Sequence, residues 1–440
     1  MVSLSLAADL RARADAGRPV TVGLAGAGQM GTDIVCQIQQ MAGLRLGAVA
    51  DLRASTVREA CTLAGIDAER QREAESAAAI DRAIEAGAVA VLEDASLMAA
   101  SGRIDVVIDA TGNPNVGAAL CLELFRGGKH VVMMNVECDV TIGRLLRAEA
   151  ARAGLVYTGA AGDEPAATVE LVRFAEALGM RVVAAGKGKN NPLVVDAMPE
   201  DYAAEAARRG MNPRMLVEFV DGSKTMIEMV AVANATGLVP DVPGMHGPAA
   251  TLDALATTLC PRELGGLLGR RGVVDYSIGK GVAPGVFCIV EMAHPRLAER
   301  MTDLKVGPGP CYTLYRPYHL TSIEVPLSAA RAVLHGHADL APHDRPVAEV
   351  AARAKRDLAP GEVLDGIGGR CYRGWALVAA DARREAALPL GLAERATVIR
   401  PVGKGELLTY ANCAPDDTLT VVRLRRRQDQ CDAQALAEAA

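Results

Sequence analysis

Aromatic residues are scarce in this chain of 440 residues, at 3% of the total. Half of the residues are hydrophobic, so we expect a sizeable core built mainly from valine, leucine, alanine and isoleucine. A chain of this length typically folds into two or three domains.

Several features of other protein classes are missing. No apolar run approaches the roughly 20 residues that a membrane-spanning helix needs, and residues 1–18 read as a short amphipathic helix rather than a signal peptide. The net charge of −6 gives no general reason to expect nucleic-acid binding. The ten cysteines contain no C-x-x-C pair, which is typical of reduced thiols. We therefore expect a cytoplasmic protein that binds neither nucleic acid nor membranes.

We interpret the run of arginines at 423 and 425–427 as a solvated edge.

The strongest motif is a glycine-rich turn between a strand and a helix. Residues 20–25 are apolar at alternate positions, Gly-x-Gly-x-x-Gly follows at 26–31, and residues 32–41 have helical spacing. The first glycine permits a tight turn, the second lets the backbone approach a pyrophosphate, and the third allows close packing of the helix. The helix N-terminus offers free N–H groups to that anion. The pattern predicts a nicotinamide dinucleotide site, with contacts from Gly26, Gly28, Gln29, Met30 and Gly31.

The next apolar segment bears on which dinucleotide binds. Residues 44–50 form a second predicted strand that ends at Asp51, twenty residues after Gly31. An acid here accepts hydrogen bonds from the ribose hydroxyls of NAD and repels the 2′-phosphate of NADP. Two unit charges about 4 Å apart interact with roughly 4 kcal/mol at an effective dielectric near 20. Arg53 could offset that repulsion, so we expect NAD or NADP, with a preference for NAD.

The alternation of strands and helices predicts the fold class. Apolar strands and amphipathic helices alternate through residues 1–161, which indicates an α/β domain with a Rossmann-type, doubly wound parallel sheet. Residues 162–345 predict an α+β domain, and residues 346–440 predict a small β-rich module. The loops after the later strands should line the nicotinamide half of the cleft. The predicted residues there are Thr111, Gly112 and Asn135. The apolar middle domain leads us to expect a homodimer or homotetramer.

A cluster of lysines and amides follows an apolar strand at residues 186–193. We interpret it as a flexible, donor-rich loop that clamps a phosphate or carboxylate, each charged hydrogen bond contributing roughly 1.5–3 kcal/mol. A lysine beside a nicotinamide can also polarise a carbonyl or relay a proton. The alternative is a solvated surface loop. The candidate residues are Lys187, Lys189, Asn190 and Asn191.

A second polar cluster and an acidic helix start complete the candidate residues. Arg316 is a natural bidentate anion ligand, while Tyr318 and His319 offer a phenol and a titratable imidazole; the alternative is a structural role. Glu164 either caps a helix or brings a carboxylate to the substrate or a divalent ion. No ligand spacing demands a metal, so we assign no metal ligands, although a divalent ion is compatible with the chemistry.

Long segments carry a family resemblance. They are residues 26–33, 131–137, 162–165, 185–192, 221–225, 275–281 and 316–321. On these segments the chain resembles the bacterial deoxyxylulose phosphate reductoisomerase-like enzymes, within the homoserine-dehydrogenase-like oxidoreductases that carry a C-terminal SAF domain.

The resemblance implies a Rossmann domain, a middle catalytic and dimerisation domain and a terminal SAF-like module. It also implies NADPH-dependent reductive isomerisation of 1-deoxy-D-xylulose 5-phosphate to 2-C-methyl-D-erythritol 4-phosphate. On this interpretation the lysine and asparagine cluster surrounds the substrate, and the 316–319 cluster completes the pocket. Two alternatives stay open. One is a dehydrogenase of a small hydroxy acid, sugar acid or amino alcohol without rearrangement, and the other is a non-catalytic dinucleotide-sensing protein.

Overall fold

The computed structural model describes residues 5–438, with side chains as far as residue 434. Strands and helices are numbered here in chain order. The strands are β1 (Val20–Ala25), β2 (Leu44–Ala50), β3 (Gln71–Glu73), β4 (Val89–Leu92), β5 (Val106–Asp109), β6 (His130–Met133), β7 (Tyr157–Gly159), β8 (Arg181–Gly188), β9 (Val239–Pro240), β10 (Val273–Ser277), β11 (Val286–Glu291), β12 (Cys311–Arg316), β13 (Ala348–Ala354), β14 (Tyr372–Val378), β15 (Thr397–Val398) and β16 (Cys413–Ala414).

The helices are also numbered in chain order. They are α1 (Leu6–Asp15), α2 (Gln29–Gln39), α3 (Ala54–Leu63), α4 (Ala77–Glu85), α5 (Pro114–Arg126), α6 (Val136–Arg152), α7 (Glu164–Ala177), α8 (Ala203–Arg208), α9 (Pro213–Val220), α10 (Ser223–Thr236), α11 (Leu255–Thr258), α12 (Pro295–Asp303), α13 (Thr321–His335), α14 (Ala379–Arg384) and α15 (Thr420–Glu438). Among residues 5–438, none of these helices combines the length and the apolarity needed to cross a membrane.

Contacts divide the chain into two compact units. The first unit holds the chain up to Ala166 together with Leu320–Ala341, and the second holds Ala167–His319 together with the chain from Pro342 onward. The second unit therefore contains residues from both sides of the predicted boundary at 345/346. The predicted three-domain division and the SAF assignment stay predictions.

The first unit is built on a seven-stranded sheet in the order β3-β4-β2-β1-β5-β6-β7. All neighbouring strands run parallel, and every residue of β1 is buried. This is the predicted α/β fold class, and it is confirmed. The strand order reverses between β1 and β5, so the loops after these two strands meet at the carboxyl edge of the sheet, where open α/β sheets bind ligands.

Helix α13 joins the first unit although it lies far along the chain. It packs against α2 and β6, and Val325, Ala329 and Ala330 belong to the same core cluster as β1. The observed boundaries of some other elements differ from the predicted ones. Helix α2 begins at Gln29 rather than at residue 32, because Gly28 is its N-cap and the glycine turn runs straight into the helix.

The second unit contains a mixed five-stranded sheet in the order β12-β11-β8-β10-β9. Strand β8 runs parallel to β10 and antiparallel to β11, which in turn runs antiparallel to β12. Helix α10 packs against β10, β13 and β14. Nearly all of its residues are buried, including the carboxylate-bearing Glu228.

The end of the chain differs from its prediction. The sequence predicts short strands in residues 355–364 and 397–410. The short strand β15 lies within the second segment, whereas the longer strands β13 and β14, which form an antiparallel pair, lie outside both. The arginine run lies on the 19-residue helix α15. The prediction of a solvated edge is wrong for Arg425, whose side chain is 12% exposed and whose Nη2 lies 2.5 Å from Oε2 of Glu349 on β13. Of the arginines in the run, Arg425 is thus held against β13 by Glu349, whose side chain is 12% exposed, whereas Arg426 pairs with the exposed Asp417.

A fully buried ion pair ties the strand pair to the rest of the second unit. Lys355 directly follows β13, and its Nζ lies 2.5 Å from Oδ2 of Asp221, with both side chains 0% exposed. Lys355 also donates to the carbonyl oxygens of Ala197 and Gly369, at 3.0 and 2.9 Å. Burial raises the pKa of Asp221, and the Lys355 ammonium opposes that shift. Each of the two charged groups has lost its water, so each needs the opposite charge of the other to be stable in the interior.

We expect Lys355→Met to lower the free energy of unfolding by about 3–5 kcal/mol, because it leaves a buried carboxylate without its cation. The measurement is urea denaturation. The matched control is Lys404→Met, which breaks an ion pair with Asp196 whose side chains are 57% and 47% exposed and should cost less than about 1 kcal/mol. A similarly small loss in Lys355→Met would show that Asp221 is already protonated in the folded protein.

Candidate active site

The glycine turn of the first unit has the geometry of a dinucleotide loop. Gly26 has a φ of +98°, and a Cβ there would lie 2.6 Å from the carbonyl oxygen of Ala110. A Cβ on Gly31 would lie 2.0 Å from the carbonyl oxygen of Gly26. Side chains are therefore excluded at both positions, one by backbone conformation and close approach, the other by the packing of α2 on the turn.

Gly28 differs from the two other glycines. A Cβ there would have no protein atom within 4 Å, so protein packing does not require glycine at this position. Gly28, Gln29 and Met30 are all exposed at the start of α2. The turn thus presents free backbone N–H groups and bare backbone to a ligand, which fits a pyrophosphate at a helix N-terminus.

Asp51 directly follows β2 and braces the turn. Its Oδ2 accepts a hydrogen bond from the backbone N–H of Ala27 at 2.8 Å. Its Oδ1 has no hydrogen bond within residues 5–438. Arg53 is exposed and immediately precedes α3, without capping it through its side chain. The carboxylate lies beside the turn, while direct contact of Asp51 or Arg53 with a cofactor stays a prediction.

A buried network joins the loops that follow β5 and β6. The side chain of Thr111 donates to Oδ1 of Asp109 at 2.6 Å, and Nδ2 of Asn135 donates to the carbonyl oxygen of Asn113 at 2.8 Å. Oδ1 of Asn135 also accepts from the N–H of Cys138. Asn135 is only 1% exposed, so its amide is committed to holding the loops together. Thr111 is half-buried and Gly112 is exposed, and contact of these predicted residues with the nicotinamide stays a prediction.

In the second unit, four residues stand in register across the sheet. Val286 pairs with Arg316 on one side and with Lys187 on the other, and Lys187 pairs with Tyr276. Directly opposed residues of neighbouring strands project from the same face, with about 4.8 Å between strands. Lys187 and Tyr276 are thus neighbours, whereas Arg316 lies two strands from Lys187.

Lys187 lies in a strand, so the interpretation of residues 186–193 as a flexible loop is wrong for its first part. A Cβ on Gly186 would lie 1.6 Å from the carbonyl oxygen of Asp275, and one on Gly188 would lie 2.2 Å from the N of Ala283. These glycines allow close approach of neighbouring chain segments. The same tight packing fixes the position of the lysine between them.

Lys187 forms a buried ion pair with Glu228. Its Nζ donates to Oε2 of Glu228 on α10, and the two side chains are 8% and 1% exposed. Sequence reasoning missed Glu228, although a lone carboxylate within the apolar helix α10 was a visible signal. It also missed Tyr276, whose pKa is raised to about 12, chiefly by burial.

Lys189 has a different environment. Its Nζ donates to the backbone carbonyl oxygens of Asn191, Pro192 and Phe219, at 2.7, 2.9 and 2.9 Å. Burial and the neighbouring Lys187 lower the pKa of Lys189 to about 8. Since an ammonium has three donors, its protonated form is fully used in clamping this segment. Asn190 is exposed and Asn191 half-buried.

The remaining candidates are more dispersed. Nη1 of Arg316 lies 2.9 Å from Oε2 of Glu170, and its Cζ lies 4.8 Å from the ring centroid of Tyr318. Tyr318 is 51% exposed and His319 is half-buried. Glu164 belongs to the first unit and begins α7, next to the buried Asp163. The structure therefore brings Lys187 and Tyr276 together, with Arg316 farther along the same sheet.

Two family models match the chain, one after the other. Residues 26–158 match the NAD-binding domain of homoserine dehydrogenase, and residues 162–325 match the catalytic domain of oxidoreductase DRL. The chain is an NAD(P)-dependent oxidoreductase. The glycine turn of the oxidoreductase lies within the first match, and the Lys187–Glu228 pair lies within the second.

Similar solved structures are distant. One is scyllo-inositol dehydrogenase from Lactobacillus casei, with 13% identity, a TM-score of 0.35, and coverage of 62% of this chain and 74% of that chain. Another is 1-deoxy-D-xylulose 5-phosphate reductoisomerase from Zymomonas mobilis, with 16% identity, a TM-score of 0.37, and coverage of 50% and 59%. Such likenesses carry no argument about the substrate of the oxidoreductase. No curated protein sequence matches the chain.

The charge of Asp51 should set the dinucleotide preference. Asp51→Asn keeps an oxygen to accept the Ala27 N–H but removes the negative charge that repels a 2′-phosphate. We expect the ratio of NADP to NAD affinity, measured by calorimetry, to rise at least tenfold, about 1.4 kcal/mol. Asp67→Ala, which removes an exposed acid elsewhere in the first unit, should leave the ratio unchanged. An unchanged ratio in Asp51→Asn would place the ribose away from Asp51.

The clamp formed by Lys189 should protect the exposed segment that follows it. Lys189→Met removes three hydrogen bonds to backbone carbonyls, so we expect thermolysin to cleave within residues 190–196 at least tenfold faster, as followed by mass spectrometry. Lys280→Met, at an exposed lysine of the same unit, serves as the control. Equal cleavage rates in wild type and Lys189→Met would show that the clamp does not restrain the segment.

Proposed function

We propose that the protein interconverts a hydroxyl and a carbonyl group on a small polyhydroxylated molecule, with Lys187 and Glu228 as its proton-transfer pair. The observation that carries this proposal is the ion pair itself, a lysine and a carboxylate that are almost fully buried within the catalytic-domain match. Buried titratable pairs of this kind are typical of sites that move protons.

The chemistry divides between the cofactor and the protein. When bound, the nicotinamide accepts or supplies the hydride. In the reducing direction, Lys187 donates a proton from Nζ to the oxygen of the carbonyl group as its carbon takes the hydride. The Glu228 carboxylate holds the ammonium form of Lys187 in place beforehand, and solvent restores the proton afterwards. In the oxidising direction, the lysine amine takes the hydroxyl proton.

The neighbouring side chains have supporting roles in this proposal. Tyr276 stands next to Lys187 in register, where its phenol can donate a hydrogen bond to the substrate. Lys189 acts by clamping the chain after β8 rather than by touching the reacting atoms. Asn190 and Asn191 follow this clamp and offer amides to substrate hydroxyls, as predicted from the sequence.

The specific substrate proposed is 1-deoxy-D-xylulose 5-phosphate, on the strength of the sequence resemblance. Its conversion to 2-C-methyl-D-erythritol 4-phosphate combines rearrangement of the carbon skeleton with reduction. The second candidate is dehydrogenation of a small hydroxy acid, sugar acid or amino alcohol without rearrangement. The Lys187–Glu228 pair supports this simpler reaction as well as it supports the reductive isomerisation, because the simpler reaction needs only one proton donor and one hydride.

The first experiment is oxidation of NADPH and of NADH by the purified protein with 1-deoxy-D-xylulose 5-phosphate, with and without Mg²⁺. The product is identified by NMR. Formation of the methylerythritol phosphate supports the reductoisomerase proposal. Dinucleotide oxidation without a change of skeleton supports the simple dehydrogenase. Dinucleotide binding without turnover on this substrate or on a panel of hydroxy acids, sugar acids and amino alcohols would contradict both.

The roles of Lys187 and Glu228 are tested by removing them singly and together. Glu228→Gln should lower kcat by about 100-fold or more, the usual size of a general acid–base contribution, because Lys187 is no longer held in its ammonium form, while dinucleotide affinity stays unchanged. Lys187→Met alone leaves a buried carboxylate and should also lose about 3–5 kcal/mol of stability. The double variant Lys187→Met/Glu228→Leu should regain stability but not turnover. Near-wild-type kcat in the double variant would show that a residue other than Lys187 donates the proton.

A further inference from the structure

Two arginines of the second unit face each other across a strand pair. Arg353 on β13 stands directly opposite Arg373 on β14. Like charges in directly opposed positions destabilise a sheet, because their Cβ atoms are only about 4.5–5.5 Å apart. Within residues 5–438, neither guanidinium forms an ion pair with a carboxylate. The arrangement therefore concentrates positive charge that the protein itself does not neutralise by direct contact.

One indole ring holds both arginines. Trp375 lies two residues beyond Arg373 on β14 and thus on the same face of the strand pair. Its ring centroid lies 4.4 Å from Cζ of Arg353 and 4.8 Å from Cζ of Arg373. A Cβ on Gly244 would lie 2.2 Å from the same ring, so the chain at Gly244 packs closely on the indole. The two guanidiniums are thereby held in defined positions before any ligand arrives.

Arg373 carries the stronger indication of a missing counter-ion. It is only 9% exposed, and its guanidinium donates a long hydrogen bond, 3.4 Å, to the carbonyl oxygen of Gly374. Burial and the charge of Arg353 lower the pKa of Arg373, while Asp221, Asp196 and Tyr276 act in the opposite direction. A desolvated guanidinium with this little hydrogen bonding is costly unless an anion completes its surroundings.

The position of this pair relates it to the proposed proton-transfer pair. Tyr276 raises the pKa of Arg373 slightly against the larger effect of burial, and it stands beside Lys187 in the sheet register. Asp221 acts in the same way on both Arg373 and Lys189. Contacts support the same relation, because the backbone N–H of Gly374, next to Arg373, donates to Oγ of Ser223 at 2.8 Å, and the backbone N–H of Ser223 donates to Oδ1 of Asp221 at 2.8 Å.

We propose that Arg353 and Arg373 form the subsite for an anionic end of the substrate, a phosphate monoester or a carboxylate. Both groups present at least two acceptor oxygens to the planar fork of a guanidinium, which binds them through paired hydrogen bonds. The assignment of this anion to the substrate rests on the proposed function. Binding of the anion removes the repulsion between the arginines and supplies Arg373 with hydrogen-bond acceptors.

Trp375 makes the subsite directly observable, because it is the single tryptophan of the chain. We expect its fluorescence to change saturably when glycerol 3-phosphate or glycerate is added at constant ionic strength, and not to change with glycerol. A response to the phosphate ester alone identifies a phosphate subsite, and a response to glycerate alone identifies a carboxylate subsite. Absence of any response in wild-type protein overturns the proposal.

Variants separate the subsite from an effect of charge in general. Arg373→Gln and Arg353→Gln should each raise the dissociation constant of the responding anion at least tenfold. Arg384→Gln, at an exposed arginine on α14, should leave it unchanged. Unchanged affinity in both subsite variants would show that the arginines only support the indole. If Arg373→Gln does not fold, the subsite is tested with Arg353→Gln alone. The melting temperature of the wild-type protein, which should rise when the anion is added, is the second measurement.

The outcome does not depend on turnover. Turnover of a substrate without any response of Trp375 would overturn the anion subsite and leave the proposed function standing. A saturable response, lost in the arginine variants, together with no turnover of any carbonyl or hydroxyl substrate, would retain the subsite and contradict the proposed function.

Discussion

Compensation of buried charge organises the second unit. Carboxylates that lose their water need a cation or several hydrogen bonds in its place, and the unit provides Lys187 for Glu228 and Lys355 for Asp221. Each pair joins segments that are distant in the chain, the first linking β8 to α10 and the second linking the C-cap of α9 to the end of β13. Removing one partner is costly, so these contacts constrain how the sheet, the buried helix and the strand pair assemble.

Glycines next to the charged residues allow the close backbone packing that fixes where those charges lie. Gly186 and Gly188 flank Lys187, and both are in close contact with neighbouring backbone that a side chain would push away. In the first unit, Gly26 and Gly31 serve the same purpose at the turn between β1 and α2. Gly28 differs because protein packing leaves space around it, and that space is where the backbone can meet a ligand. Glycine thus serves close packing at some positions and ligand access at another.

The arginine pair contrasts with these compensated charges. Arg353 and Arg373 are held against Trp375, but the protein supplies no carboxylate in direct contact with them within residues 5–438. A site that binds an anion must keep its positive charge partly uncompensated, at a cost in stability that the ligand later offsets. The ion pairs of the second unit neutralise their buried charges within the protein, whereas the arginine pair is suited to binding an anion.

The sequence by itself determined the parallel sheet of the first unit, because strand periodicity, the glycine turn and Asp51 are all local patterns. It also made Lys187 a candidate, since the lysine cluster follows an apolar strand, and the role of this lysine stays a prediction. Only the tertiary structure decided that Lys187 lies within β8, that Glu228 is its partner and that Lys189 is a clamp. The same holds for α13 in the first unit, for the pairing of Arg425 with Glu349, and for Arg353 opposite Arg373. These features depend on contacts between distant segments, and no local pattern of apolar and polar residues specifies which buried groups will meet.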